Sequence, residues 1–287
     1  MEPVRRICTG LALLGIAGLS VELLFMLGLF RPLRVESGSM APTVRGPHYE
    51  IVCQNCGHRF AIDALRPPPT GYAACPLCGA NHNPLPDAIE LGARLYVDRT
   101  AFWWRDPRRW EPIVFRDPLS GQLVLKRVVG LPGETIAIRD GAVFVNGQRQ
   151  PPPDRVRRAM AILVHDPACR PKVLGTKNEP LSDAVAYNQT ESRRLNRVAH
   201  PWHIVGGQLA ELADPDGWST AAEPVYRDVY YTQVPRVGTG APPADYPLGA
   251  DEFFVLGDNS PISDDSRHWP RPGLPRAALV GKPLGIR

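Results

Sequence analysis

The chain has 287 residues, 44% of them hydrophobic, enough to bury a core unaided. Its net charge of +4 is too mild, and its basic residues too scattered, to read as a nucleic-acid binder. With 26 glycines and 32 prolines it is neither a long coiled coil nor an all-helical bundle, because proline interrupts helices and central strands alike.

The first element is Ile7 to Phe30, an apolar run with one charge, Glu22, flanked by Arg5 and Arg6 before it and by Arg31 and Arg34 after it. At about 1.5 Å rise per residue, a helix of this length crosses a hydrocarbon core of about 30 Å. The run is long for a cleaved signal peptide, and Arg31-Pro32-Leu33-Arg34 is unlike a small-x-small cleavage site, so an uncleaved anchor is expected. No comparable run follows, which excludes a polytopic transporter. Paired arginines on both sides leave the orientation undecided by charge. Glu22 fits snorkelling toward an interface better than a contact within the membrane.

Ser37 and Ser39 come next, two residues apart. In an extended backbone such residues point to one side, and Pro42 biases Ala41 away from helix. The segment is therefore expected to present two hydroxyls on one extended edge. One hydroxyl can attack a carbonyl while the other donates a hydrogen bond to the developing oxyanion.

The stretch 47–91 carries Cys53-x-x-Cys56-Gly57 and Cys75-x-x-Cys78-Gly79. Each pair can form a tight knuckle, and four thiolates can close a tetrahedral zinc-ribbon site holding a structural zinc. In an oxidising compartment two disulfides are the alternative. Cys169 has no obvious partner.

Leu95–Val97, Pro112–Phe115 and Gln122–Val129 read as strands. Residues 134–147 read as a hairpin, with Ile136 and Ile138 facing Val143 and Val145 across an Asp140-Gly141 turn. Pro151-Pro152-Pro153 marks a boundary, 154–249 is of mixed composition, and Phe253–Leu256 resumes strand character. Strands dominate, so the fold class is mainly β with inserted segments.

A serine nucleophile needs a base, and no Gly-x-Ser-x-Gly elbow is present to suggest an α/β-hydrolase. The candidate base is Lys126, with Val124 and Val128 on its face of the strand. A lysine has a pKa of about 10.4, which burial lowers by several units. By pattern alone, Lys126 also fits a surface lysine on an amphipathic strand.

Ser37-Gly38-Ser39-Met40-Ala41-Pro42-Thr43, directly after the apolar run, resembles the nucleophile box of bacterial type I signal peptidases. Lys126-Arg127-Val128-Val129-Gly130-Leu131-Pro132-Gly133-Glu134 looks like their lysine box. Gly257-Asp258-Asn259-Ser260 through Ser263-Asp264-Asp265-Ser266-Arg267 looks like their C-terminal box, and Gly281-Lys282-Pro283 resembles the closing strand.

The resemblance implies a signal-peptidase-type antiparallel β catalytic core with an N-terminal transmembrane helix, a zinc-ribbon insert and a second insert. The divisions are a tail at 1–6, the anchor at 7–30, core at 31–46, the ribbon at 47–91, core at 92–153, a variable insert at 154–249, and core at 250–287. By the same resemblance Ser39 is the nucleophile and Lys126 the general base. Ser37 and the Ser39 N–H form the oxyanion hole, and Ser263 orients the lysine. Asp265 pairs with Arg267, and Asp258 with Arg127. Val35, Met40 and Leu125 are candidate walls of the substrate pocket.

Implied too are a Ser/Lys endopeptidase needing no cofactor for catalysis, preproteins bearing signal peptides as substrates, and contact with membrane lipid. No nucleic acid is expected. The implied place is a single-pass protein of the bacterial inner membrane with its catalytic part outside the cytoplasm. The alternative is an inactive, tethered binding protein that uses the ribbon and the second insert. The sequence departs from the family where Ser260-Pro261 replaces a charged pair and where Trp110-Glu111 stands in place of Gly-Asp.

Overall fold

The computed structural model of the chain describes residues 2–26, 28–169, 201–205, 208–212, 221–232 and 245–286, so much of the segment 154–249 lies outside the described residues. Helix α1 is Glu2–Met26. The strands that position the site are β1 (Phe30–Arg34), β2 (Arg94–Asp98), β3 (Pro112–Arg116), β4 (Leu123–Gly130), β5 (Thr135–Arg139), β6 (Ala142–Val145), β7 (Glu252–Leu256), β8 (Leu274–Pro275) and β9 (Leu279–Pro283).

Seven of these form one sheet in the order β1-β2-β9-β3-β4-β7-β8. Its strand pairs are antiparallel. The sheet buries side chains on both faces at its centre, which is why β7, and β4 on either side of Lys126-Arg127, read as apolar runs and not as strict alternation. Phe253 and Val255 join Ile113, Phe115, Val128 and Leu274 on one face. Phe254 and Leu256 join Val129 and the residues of the β5-β6 hairpin on the other. Each such fully buried side chain contributes about 1.5–3 kcal/mol of burial free energy.

The hairpin forms in the expected register, with Val143 opposite Ile138 and Val145 opposite Ile136. Its turn residues Asp140 (φ 49°) and Gly141 (φ 73°) are both left-handed, as a type I′ turn requires. The hairpin belongs to a second sheet of four strands.

The cysteine stretch has no large sheet. His48–Val52 pairs with Arg59–Asp63, and Tyr72–Ala73 with Asn83–Pro84. The described part of 154–249 includes a four-stranded sheet built from Ile162–His165, Trp202–Val205, Gln208–Glu211 and Val225–Arg227.

The apolar run is helical, but the helix is displaced from the expected span and begins at Glu2. The helix ends at Met26, Gly28 takes φ 67°, and Phe30 already pairs with Asp98 in the main sheet. Among the described residues no helix is long and apolar enough to cross a membrane.

Candidate active site

The serine segment is not the extended edge that alternation predicts. Ser37 is extended (φ −137°, ψ 154°), but Gly38–Met40 form a turn of 3-10 helix. Ala41 (φ −68°, ψ 147°) then returns to the extended region, as the following proline requires. Tertiary contacts impose the turn. Asn259 Nδ2 donates to the Gly38 carbonyl (3.1 Å), Asn259 N–H to the Ser39 carbonyl (3.0 Å), and Thr43 Oγ1 to Asp258 Oδ2 (2.6 Å). The turn still brings the two hydroxyls together, and Ser37 Oγ donates to Ser39 Oγ at 3.2 Å.

Lys126 lies in β4, opposite Ile113 of β3. Its residue exposure is 2%, so the reading as a surface lysine is wrong for this fold. Burial lowers its pKa to about 8, against the opposing pull of the Asp265 and Asp264 carboxylates. Ser37, Ser39 and Lys126 line one open cleft of about 250 Å3, with Val124, Ile262, Asp264 and Trp269 around them. Ser39 and Lys126 share this cleft without a hydrogen bond between them. Catalytic pairs are often loose before substrate tightens them.

Ser263 is buried at the base of the site. A Cβ at Gly257 would stand 2.2 Å from Ser263 Oγ and 2.5 Å from the Ser39 carbonyl oxygen, so only glycine lets these two segments meet. The Ser263 hydroxyl helps hold the Asp265 carboxyl low but has no well-formed hydrogen bond, and none to Lys126. Val35, Met40 and Leu125 do not line the cleft. Met40 is packed inside, and alternation along β4 turns Leu125 away from Lys126.

Two buried ion pairs lie beside the cleft. Arg127 Nε and Nη2 donate to Asp258 Oδ1 and Oδ2 at 2.8 and 2.7 Å, with both side chains fully buried. Because Asp258 also accepts from Thr43, this pair ties the serine, lysine and C-terminal segments together. Arg267 Nε and Nη2 donate to the Asp265 carboxylate at 2.8 Å each. Burial alone would raise the Asp265 pKa, but Arg267, Ser263 and the Gly257 N–H hold it below its ordinary value.

Several contributors escaped the sequence reading. Ser260, which replaces a charged residue of the family, accepts from Arg267 Nη1 (2.7 Å) and from Thr232 N–H (2.9 Å). Trp110 stands where the family has glycine and adopts φ 66°, and its carbonyl accepts from Arg127 Nη1 at 2.8 Å. Glu111 binds Arg105 in a bidentate pair and also Lys282. Burial would raise its pKa, yet these cations and the Arg108 N–H lower it to about 2. The departures at Trp110-Glu111 were the available signal.

The four cysteine sulfurs lie within 4.8 Å of one another. Cys53 and Cys78 sulfurs are 3.6 Å apart, and those of Cys56 and Cys75 are 3.7 Å apart. A tetrahedral zinc with bonds of about 2.3 Å separates its sulfurs by about 3.8 Å, whereas a disulfide bond is about 2.05 Å long. The donor set therefore fits a metal, and no disulfide joins the described cysteines.

The two knuckles match. Gly57 N–H donates to the Cys53 carbonyl and Gly79 N–H to that of Cys75, with both glycines at φ 76°. Asn83, fully buried, joins them by donating to the Ala73 and Ala80 carbonyls and accepting from Gln54 N–H. Burial raises the Cys75 pKa to about 11, while at Cys53 the opposing N–H groups of Cys56 and Asn55 outweigh burial and bring it to about 7. Cys169 packs against this cluster with its thiol directed at Asp166.

Residues 7–284 match the sequence profile described as "Signal peptidase, peptidase S26". The chain belongs to that signal peptidase family. It is 26% identical over 198 residues to "Signal peptidase I" of Pseudomonas fluorescens, covering 68% of this chain and 51% of that protein. It is 36% identical over 80 residues to the signal peptidase I of Leptolyngbya laminosa, covering 23% of this chain and 39% of that one. The matched regions thus span about half or less of these relatives' lengths. A crystal structure of a signal peptidase I from Enterococcus faecalis V583 aligns with 62% of this chain and 97% of its own, at 23% identity and a TM-score of 0.29. The zinc-ribbon-like cysteine cluster lies inside the matched range.

Proposed function

We propose that this chain is a membrane-bound endopeptidase that removes N-terminal signal peptides from exported preproteins through Ser39 and Lys126. One observation carries the reading: a serine hydroxyl and a dry lysine with a pKa near 8 line the same cleft. The family membership supports the reaction class.

The chemistry follows from the residues. Neutral Lys126 Nζ takes the Ser39 proton as Oγ attacks the scissile carbonyl carbon. The Ser37 hydroxyl rotates from Ser39 Oγ toward the oxyanion and shares it with the Ser39 N–H, which stabilises the tetrahedral intermediate. The Lys126 ammonium returns its proton to the departing amine, leaving an acyl-Ser39 ester. Lys126 then deprotonates a water that attacks the ester, and the proton passes back to Ser39 Oγ as the acid is released. Ser263 is the group proposed to orient the lysine amine when substrate binds, the Asp265–Arg267 pair braces the segment that carries it, and the Arg127–Asp258 pair holds the lysine's strand against the serine turn.

In this proposal the apolar run 7–30 anchors the protein by a single pass in the bacterial inner membrane, with the catalytic part outside the cytoplasm and in contact with lipid. The apolar run of the sequence supports this, as does the exposure of Ile7, Leu11, Leu13, Leu14, Ile16 and Leu19, each above 60%. The division into core, ribbon and variable insert is retained as part of the proposal. Zinc held by Cys53, Cys56, Cys75 and Cys78 has a structural role, and catalysis needs no cofactor. The reading as an inactive binding protein is not favoured, since both groups that a Ser/Lys hydrolase requires meet in the cleft.

The test is cleavage of a preprotein with alanine at −1 and −3 by the purified full chain. Ser39→Ala and Lys126→Ala are each expected to abolish turnover, and kcat/KM of the unsubstituted enzyme should rise with pH through about 8 as Lys126 loses its proton. Retained turnover in either variant would overturn the dyad.

A further inference from the structure

The cysteine insert reaches the catalytic cleft itself. Three of the cleft's lining residues, Asp63, Leu65 and Arg66, come from the hairpin that leads out of the first knuckle. The insert is held at that position by a short stem. His48 and Glu90 exchange backbone hydrogen bonds at 3.0 and 2.8 Å, Ala93 N–H donates to Arg45, and Val35 N–H donates to Ala93. Ala64 N–H donates to the Pro47 carbonyl at 3.0 Å, which fixes the hairpin's exit over the serine turn.

At that exit Asp63 is oriented by its own backbone. Its Oδ1 accepts the Leu65 N–H at 2.9 Å. Its Oδ2 lies over Gly38, 2.9 Å from where a Cβ at that position would stand. A carboxylate supplied by the insert therefore sits one residue from the nucleophile. Asp117, on the turn after β3, and Asp264, in the C-terminal box, line the same cleft. Arg66 is the one arginine in the lining, and Lys126 is uncharged in its working form. Among the described lining residues, three carboxylates against one guanidinium leave a net negative charge when Lys126 is neutral.

We propose that Asp63 is a specificity-determining residue, and that with Asp117 and Asp264 it selects substrates carrying a basic side chain on the mature side of the scissile bond. The inference rests on the peptidase reading above. In that reading small residues occupy −1 and −3, and the proposal assigns the charge that this wall recognises to +1 or +2. The cysteine module then acts as a rigid arm that presents Asp63 to the substrate, a reason for a metal-type module beside a cleft that needs no metal for chemistry. Complementary charge at partly exposed positions sets preference and encounter rate more than it sets overall affinity, and it weakens as salt rises.

The experiment uses three preproteins that differ only at +1 and +2, bearing lysine, alanine or glutamate there, each cleaved by the full chain. The expected order of kcat/KM is lysine, alanine, glutamate, with about tenfold between the extremes at low salt, shrinking toward parity at 1 M salt. Asp63→Asn should lower the lysine-to-glutamate ratio several-fold, Asp63→Lys should invert it, and Asp63→Glu should largely preserve it. The ratio is the readout, because a merely structural loss lowers all three substrates together and leaves it unmoved. Equal cleavage of all three substrates by the unsubstituted enzyme, or an unchanged ratio in Asp63→Lys, overturns the proposal and leaves the peptidase reading intact. Failure to cleave even the alanine substrate would instead sink that reading.

Discussion

The catalytic core and the cysteine insert solve the same packing problem with opposite means. The core buries apolar side chains on both faces of a seven-stranded sheet and also holds buried ion pairs, one of them from the interior strand β4. The insert has strands of two to five residues, and the buried members of its apolar cluster are Ile51, Phe60, Ala73 and three of the cysteines themselves. A module this small cannot bury enough surface to offset chain entropy, so its order depends on what joins the four sulfurs. Electrostatics is a means of alignment in the core, whereas in the insert a four-sulfur cluster that could hold a metal takes the place of a core.

Metal removal is the strongest way to break this comparison. Structural zinc contributes on the order of 10 kcal/mol to modules of this kind. Chelation or Cys56→Ser is therefore expected to unfold residues 47–91 while the main sheet keeps its own transition, giving two resolved phases in hydrogen exchange. A single cooperative loss of both regions would show that insert and core are one unit.

The next effect falls on the core. Asp265→Ala leaves Arg267 buried without its carboxylate, which costs about 3–5 kcal/mol and should appear as a lowered urea midpoint. The same pair sets an acid limit. The Asp265 pKa is held below its ordinary value, so its stabilisation is complete above about pH 4, the usual carboxylate value, and is lost as pH falls through the lower folded-state pKa.

The smallest effect runs the other way. The fall of the Lys126 pKa from 10.5 to about 8 corresponds to on the order of 3 kcal/mol. Below about pH 8 the amine is protonated in both folded and unfolded chains, and the folded state bears the full burial penalty. Between about 8 and 10.5 only the unfolded chain keeps the proton, so stability rises with pH across that window. Lys126→Met should therefore abolish activity yet raise stability at pH 7 by up to about that amount, a gain that shrinks toward pH 10. A destabilised variant at pH 7 would mean that the Asp265 and Asp264 carboxylates outweigh burial.

Much of this was legible in residue order because the signals were local. The Asp-Gly turn of the hairpin needs only two residues with positive φ, and each cysteine knuckle needs a Cys-x-x-Cys followed by glycine. The apolar runs of β3, β4 and β7 announced strands without naming neighbours. What alternation misjudged was the serine turn, because Asn259, more than 200 residues downstream, binds the Gly38 and Ser39 carbonyls of the 3-10 turn, and Asp258 binds Thr43 just after it. Which face of β4 meets the serines was out of reach for a related reason, since it depends on register with β3 and β7.

By itself the sequence determined which groups were available: two close hydroxyls, a lysine within an apolar strand, four paired thiols and a set of matching acids and arginines. Only the tertiary structure decided that Lys126 is dry, that Arg127 and Asp258 close on each other, and that Asp63 of the insert stands over Gly38. A pKa, an ion pair and a shared cleft are properties of distance and burial, and these are set by contacts between residues far apart along the chain.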